Sequence, residues 1–396
     1  MWKHFWRQGP SPRLLMGPNK MEKKLFEVTG SFEEMAQSQG ERFRDLFFPM
    51  LADLKEMPVV ASWIHKLIPL PLFVWLLGFE GKKFLQAHRP VLENFHGHNL
   101  VAQLEALSRG FGQSIERIYG FLAFEALSSQ LPYSLGCSSL AFSASQTQRG
   151  EPLLAYNHDF PECFGKYVCV RKSLPKDGYA SLNVTYPPML GAIAGVNQKG
   201  LCVSLNHAYA TDVHKGPALP VTLLVQQVLH FCDHVSEAVD FILKTPVPNG
   251  SFITLLDGAG NRAVVEMSGK QKQVRHVQEG MLHTFNKYQL EPMTSFEIPL
   301  EAEGKGIYKG YKIHHHNICR ERRFQGIFDV TKKYSEEDIH AFMSDHDGGT
   351  GDFGTICRHH PGTASTLASV LLFPKTQSLK IIFGKACDGS YEEMFL

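Results

Sequence analysis

Apolar residues recur along this chain with two different periods, and the change of period divides it. From Ser31 to about Ser129 the spacing is helical. Phe43, Leu46, Phe47, Met50, Leu51 and Leu54 form one such series, and Leu104, Leu107, Phe111, Ile115, Ile118 and Leu122 another. Ser31 and Glu34 make a capping box, satisfying the first free N–H groups of a helix. Pro49 must kink or restart the first series, because proline lacks an N–H and clashes with the preceding turn.

After Tyr133 the texture becomes short apolar or alternating runs: residues 137–144, 152–159, 166–172, 181–186, 190–196 and 201–206. The turns between them hold Gln148-Arg149-Gly150, Lys176-Asp177-Gly178 and Asn197 to Gly200, so the runs read as strands. A helical block from about Val221 to Lys244 follows, then strands at 251–257, 262–267 and 281–286. Helices are expected near Cys319 to Asp329 and Ser335 to Met343, and strands at 366–373 and 378–384. Residues 134–396 therefore predict an α+β architecture of stacked antiparallel sheets with helices outside.

Composition narrows the function classes. Across 396 residues, 43% are hydrophobic, and 40 Lys+Arg against 39 Asp+Glu leave a net charge of +1. Wholesale disorder is excluded, and no basic surplus exists to neutralise nucleic-acid phosphates. The first twenty residues hold Lys3, Arg7, Arg13 and Lys20 without an acid and without a signal-peptide core, which predicts a flexible basic leader over 1–27. With no export signal, a cytoplasmic location is weakly favoured. The most apolar stretch, Leu67–Phe79, is too short to span a membrane. A buried segment is the better reading of it, with contact at a membrane surface as the alternative.

Eight cysteines are too sparse for a disulfide scaffold. One of them, in Leu135-Gly136-Cys137-Ser138-Ser139, sits where the texture changes. Read alone, it is a buried cysteine opening a strand. Asn157-His158-Asp159 closes the next strand, and a hairpin would bring that cluster beside Cys137. Asn206 and Asn286 close two further strands. A carboxylate and two amides at strand ends suit the stabilisation of a developing oxyanion.

These residues carry a resemblance. Gly136-Cys137-Ser138, Asn157-His158-Asp159-Phe160, Asn197 to Asn206, Val264-Val265-Glu266 and Thr284-Phe285-Asn286 are similar, in that order, to N-terminal-nucleophile (Ntn) cysteine hydrolases. The nearest branch is the acyl-coenzyme A:6-aminopenicillanic acid acyltransferase family, also described as a self-processing peptidase family (C45). Thr29 to Gly40, Thr355-Ile356-Cys357-Arg358-His359 and Phe383 to Cys387 point the same way. The resemblance implies an αββα sandwich made as a zymogen: a helical prosegment over 28–136, autocatalytic cleavage between Gly136 and Cys137, and a catalytic domain over 137–396. The prosegment would stay associated as the small chain of a heterodimer.

The freed Cys137 would supply both a thiol nucleophile and an α-amine base, since an α-amine titrates near neutrality. By the same resemblance Asp159 orients that amine and Asn286 donates to the oxyanion, with Asn206 beside it as donor or anchor. A late arginine lies at the thiol, Arg323 being favoured and Arg320 the rival. Tyr156 and His158 are expected to bind substrate. The bile-salt and penicillin V hydrolase branch has Arg where this chain has Tyr156, which argues against bile-salt hydrolysis.

Other signals weigh less. Gly349 to Gly354 fits G-x-G-x-x-G but lacks the strand and helix that a dinucleotide site needs, and reads as a mobile loop, with covering the active site one role open to it. His314-His315-His316 and Arg358-His359-His360 lack Cys-x-x-Cys or His-Glu-x-x-His spacing, so neither a metal nor a cofactor is expected. Asn183 and Asn249 open glycosylation sequons that look like chance. The sequence assigns no chemistry to Cys357 and Cys387, and leaves open whether they pair. The expected activity is an amidase or acyltransferase acting on an N-acyl or peptide-like amide, or an acyl donor, through a Cys137 thioester. The alternative is an inactive relative that binds an acyl ligand or a partner.

Overall fold

The computed structural model describes residues 24–57, 68–128, 136–214, 216–277, 280–304, 310, 312–360 and 364–396, with side chains of 123–128 left aside. The basic residues of the leader, Leu67 and Leu135 lie outside them.

Two sheets form the centre. One holds eight strands in the order β1 (Leu25–Gly30), β4 (Cys169–Pro175), β5 (Ser181–Thr185), β6 (Ala194–Asn197), β7 (Cys202–His207), β8 (Ser251–Leu256), β9 (Arg262–Met267) and β10 (Lys272–His276). The other holds six: β11 (Leu282–Thr284), β2 (Gly136–Phe142), β3 (Leu153–Pro161), β12 (Ala364–Phe373), β13 (Ser378–Phe383) and β14 (Glu392–Phe395). All neighbours are antiparallel except β1 and β4. Alternation along each strand sorts its two faces. Ala141, Leu154, Tyr156, Val170 and Val184 fill the space between the sheets. Leu140, Phe142, Leu153 and Ala155 face outward onto Phe324 of α9 (Ile313–Ile327) and Phe342 of α10 (Glu336–Met343). The helices α6 (Val221–Phe231) and α7 (Val235–Lys244) cover the opposite face of the larger sheet, and a single turn, α8 (Glu291–Thr294), follows β11. The result is a four-layer αββα sandwich, the architecture expected from the sequence resemblance.

The N-terminal part contributes α1 (Phe32–Arg42), α2 (Phe47–Glu56), α3 (Leu70–Glu93), α4 (Leu100–Phe111) and α5 (Ile115–Ser128). Ser31 and Glu34 close the capping box at α1. Pro49 sits in the first turn of α2, where its missing N–H has no intrahelical partner to lose. Several expectations are corrected. The leader does not extend to residue 27, because Leu25–Gly30 is a strand registered on β4. The series from Leu104 to Leu122 is two helices, since Gly112 adopts a left-handed φ of 65° and caps α4. Leu67–Phe79 is not simply buried: Val74 faces the core, whereas Leu72, Trp75, Leu76 and Phe79 face solvent on α3. Among the described residues no helix is long and apolar enough to cross a membrane.

Candidate active site

Cys137 is the second residue of β2, in the interior of the six-stranded sheet. Pairing with β3 sets Gly136 opposite Asp159, Cys137 opposite His158 and Ser139 opposite Tyr156. Since side chains alternate across a strand, the thiol points between the sheets while Asp159 lies on the face toward α9.

Polar groups grip the main chain of Cys137. Its N–H donates to Asn286 Oδ1 at 2.7 Å, and its carbonyl accepts from Arg320 Nη1 at 2.9 Å. Arg320 also donates to Ser138 Oγ (3.2 Å), Asn286 Oδ1 (3.0 Å) and Asn317 Oδ1 (2.8 Å). The Asn286 amide orientation follows from chemistry: an amide N–H and a guanidinium can only donate, so the oxygen must face them. Its Nδ2 donates to His207 O at 2.7 Å. Asn286 holds this aim with a left-handed φ of 62°, a strain that asparagine tolerates better than most residues.

Asp159 is fully buried. Thr366 Oγ1 donates to its Oδ1 at 2.7 Å, while Oδ2 has no hydrogen bond and lies 3.9 Å from both Arg320 Nη1 and Arg358 Nη1. Burial pushes this carboxyl up to about 6 against the pull of Arg358, Arg320 and Thr366. Burial and Arg358 lower Arg320 to about 10, which leaves it charged near neutrality. The two guanidinium groups occupy the place of a side chain at residue 136. A Cβ on Gly136 would meet Arg358 Nη1 at 2.4 Å and Arg320 Nη2 at 3.0 Å. Any side chain there would have to displace the guanidinium pair.

The thiol is buried, and desolvation together with Asp159 pushes it up to about 11. Tyr156 Oη lies 3.4 Å from Sγ and 2.7 Å from Leu205 O. Its single proton goes to the nearer carbonyl, leaving the hydroxyl oxygen as an acceptor for the thiol or for His158 Nδ1, 3.3 Å away. His158 Nδ1 is 4.0 Å from Sγ and its Nε2 pairs with Tyr186 Oη at 2.9 Å. Burial lowers His158 to about 3, so the ring is neutral. Beyond the thiol lies an apolar cavity of about 140 Å³, walled by Tyr186, Ile193 and Leu205 and by Met50, Leu54, Phe121 and Leu122 of α2 and α5.

Two expected residues stand elsewhere. Arg323 is at the surface, bonded to Asp345 at 2.7 and 3.0 Å, and Arg320 is the arginine inside. Asn206 does not reach Cys137: its Oδ1 accepts from Ser139 Oγ (2.6 Å) and its Nδ2 donates to Thr284 O (3.3 Å), joining the two sheets. Asn286 also presents its oxygen, not its NH₂, to Cys137. Arg358, Thr366 and Asn317 are further parts of the site. Arg358 was visible only as part of the Thr355 to His359 run. Thr366 is placed by β12, where it registers directly on Asp159.

The remaining motifs fall outside the chemistry. Phe353 of the glycine-rich loop packs on His360 and beneath the Arg358 guanidinium, 5.0 Å from it. Of the histidine run on α9, His314 bonds Ile298 O and His316 packs at a tilt against Phe353. Asn183 is buried in β5 and bonded to Arg171, Ser173 and Ser181, and Asn249 is buried too, so neither sequon is accessible.

Solved structures resemble the chain distantly. An N-acylethanolamine-hydrolyzing acid amidase ortholog from Caenorhabditis elegans shares 14% identity over 60% of this chain and 93% of its own, with a TM-score of 0.40. A conjugated bile acid hydrolase from Clostridium perfringens shares 16% over 66% and 92% (0.41), and penicillin V acylase from Agrobacterium tumefaciens 15% over 66% and 86% (0.39). Among curated proteins no sequence matches significantly. The profile of one family matches residues 146–387, more than half the chain, a span that takes in Asp159, Asn286, Arg320 and Arg358 and begins just after Cys137. The chain belongs to the acyl-coenzyme A:6-aminopenicillanic acid acyl-transferase family.

Proposed function

We propose that the protein is a self-processing cysteine amidohydrolase or acyltransferase that cuts itself between Gly136 and Cys137 and then works through a Cys137 thioester. The observation that carries this reading is the grip on the main chain of Cys137. Asn286 holds its nitrogen and Arg320 its carbonyl. Any buried N–H and C=O needs a partner, but here a carboxamide and a charged guanidinium supply it, side chains that can go on holding the residue once its nitrogen becomes an N-terminus.

In the cut, the Cys137 thiolate attacks the Gly136 carbonyl carbon and the acyl group passes from nitrogen to sulfur, with the nitrogen taking up a proton. Water then hydrolyses the thioester. Cleavage turns the Cys137 N–H into an amine, for which Asp159 Oδ2, buried and lacking a hydrogen bond, is a ready acceptor. The neutral amine takes the thiol proton as the nucleophile attacks the substrate carbonyl. Buried Arg320 and Arg358 carry two positive charges against one on Asp159, a surplus that suits a thiolate or an oxyanion. The substrate is an N-acyl amide whose acyl group enters the apolar cavity. Met50 and Leu54 share a continuous core with the catalytic sheets, which supports retention of the small chain after cleavage. Transfer to an acceptor amine in place of water requires that water be kept from the thioester.

Intact mass and N-terminal sequencing test the reading. The wild type should resolve into chains 1–136 and 137–396, the second beginning Cys-Ser-Ser, and Cys137→Ala should stay whole. A wild type that remains uncut across pH and maturation time overturns it.

A further inference from the structure

Behind the catalytic cage, four metal-ligating side chains from three separate segments converge. They are His346, after α10; Cys357 and His359, on either side of Arg358; and Cys387, after β13. One ring nitrogen or sulfur of each lies within 4.8 Å of all the others. His359 Nε2 is 3.5 Å from Cys357 Sγ and 3.1 Å from Cys387 Sγ. The His346 ring meets that of His359 edge-on at 4.6 Å, and His346 Nε2 is shielded from solvent without a hydrogen-bond partner.

We propose that His346, Cys357, His359 and Cys387 form a structural zinc(II) site that braces Arg358 in the active site. Two sulfurs and two imidazole nitrogens are the ligand set of closed tetrahedral zinc sites. With Zn–S of about 2.3 Å and Zn–N of about 2.0 Å, the edges of such a tetrahedron are roughly 3.3–3.8 Å. The two sulfur–nitrogen distances above lie within a few tenths of that range. Cys357 is buried, Cys387 is exposed and the histidines are intermediate, so the ion would sit at the rim of the fold with a path from solvent. Binding would release the thiol protons, since zinc ligates the thiolate. A disulfide between Cys357 and Cys387 is the competing use of the sulfurs, but it gives no reason for two imidazoles to converge on them.

The position explains what the ion would do. Cys357 and His359 flank Arg358, whose guanidinium lies 3.9 Å from Asp159 and fills the space beside Gly136. The site would also close the glycine-rich loop, whose Phe353 lies under Arg358, by tying His346 to its far end. The ion is over this segment and not at the thiol, so it positions Arg358 and takes no part in the reaction.

The test uses the full-length chain, purified with reductant and without chelator, then dialysed against metal-free buffer. A single zinc per chain is expected by elemental analysis in the wild type and in Cys163→Ser, whose cysteine lies outside the cluster. Cys387→Ser and His346→Ala should lose it on dialysis. Cobalt(II) loaded in place of zinc should give the absorption of tetrahedral thiolate ligation in the wild type and not in these variants. Because Cys387 is exposed, its replacement leaves the core intact, whereas Cys357→Ser could fail through misfolding. Three results overturn the proposal: a wild type that binds no zinc even when zinc is supplied, zinc retained equally in Cys387→Ser and His346→Ala, or an unreduced chain short of two hydrogens with Cys357 and Cys387 joined. Each can occur whether or not the chain cuts itself, so the metal site and the self-processing reading fail separately.

Discussion

Replacing Arg320 by methionine tests the centre of the site. The side chain is fully buried and donates four hydrogen bonds, to Cys137 O, Ser138 Oγ, Asn286 Oδ1 and Asn317 Oδ1, beside Asp159. After truncation Ser138 Oγ loses only the longest of these contacts, at 3.2 Å, and Asn286 Oδ1 keeps the Cys137 N–H. Cys137 O and Asn317 Oδ1 lose a charged donor, at about 1–3 kcal/mol for each bare acceptor. Asp159 keeps Arg358 as counter-ion, so the full cost of stranding a buried charge does not apply. The expected loss of stability is therefore about 3–5 kcal/mol, at the level of breaking a buried ion pair and within reach of a protein stable by about 5–15 kcal/mol. Self-cleavage should slow by about 10²–10³-fold, as when one preset donor to a developing charge is removed. Arg323→Met is the control: its partly exposed pairs with Asp345 and Asp347 should be worth about 0–1 kcal/mol and nothing in cleavage. Arg320→Lys keeps the charge but loses the fork, and should fall between wild type and methionine. Denaturant midpoints and the time course of intact mass after synthesis give both quantities. Cleavage of Arg320→Met within about threefold of wild type, with Arg323→Met slowed instead, would refute the assignment and, with it, the argument that a preset positive charge stabilises the developing oxyanion.

Gly136→Ala should abolish cleavage and destabilise by about 1–3 kcal/mol, because the added Cβ falls 2.4 Å from Arg358 Nη1; a normally processed alanine variant would show that the guanidinium pair is not fixed there. Burial raises Asp159 to about 6, so its carboxylate exists above that pH and is lost as pH falls through it. Amide turnover by the cleaved enzyme, in which Asp159 holds the Cys137 amine, should decline along that limb, and Asp159→Asn should be slow at every pH; unchanged processing and turnover in Asp159→Asn would remove its role. His158 is neutral and 4.0 Å from Sγ, so His158→Gln should still cut within about tenfold, whereas a Cys–His mechanism predicts a loss of at least ~10²-fold at this position. Leu54→Ala should cost about 2–5 kcal/mol and enlarge the acyl cavity, measured as a shift toward longer chains across a series of N-acyl amides.

What the sequence could show of this site depended on whether the deciding contact was local. The strand runs and the change of period at Tyr133 are short-range patterns, and the hairpin that sets Cys137 opposite His158 follows from two adjacent runs and one turn. The strand β1 was missed because only six residues form it and its partner, β4, lies far along the chain. The arginine was misplaced for a reason the sequence contained. Ile313, Asn317, Arg320 and Phe324 follow one another at spacings of four, three and four, the buried stripe of α9. At about 100° per residue, Arg323 falls about 60° from Arg320, at the edge of the buried face near His316, whereas Arg320 lies at its centre. Motif resemblance favoured Arg323 through its neighbour Phe324, whereas periodicity favours Arg320, and burial decides as periodicity does. Asn286 is a different case. Its place at a strand end was legible, but the side on which its oxygen lies depends on donors from β2 and α9, which only the assembled fold brings together. The same separation hid the histidine–cysteine cluster. Its four ligands span residues 346 to 387 with no short spacing common to known zinc motifs, so a search for local patterns could find His359 and Cys357 but not what completes them.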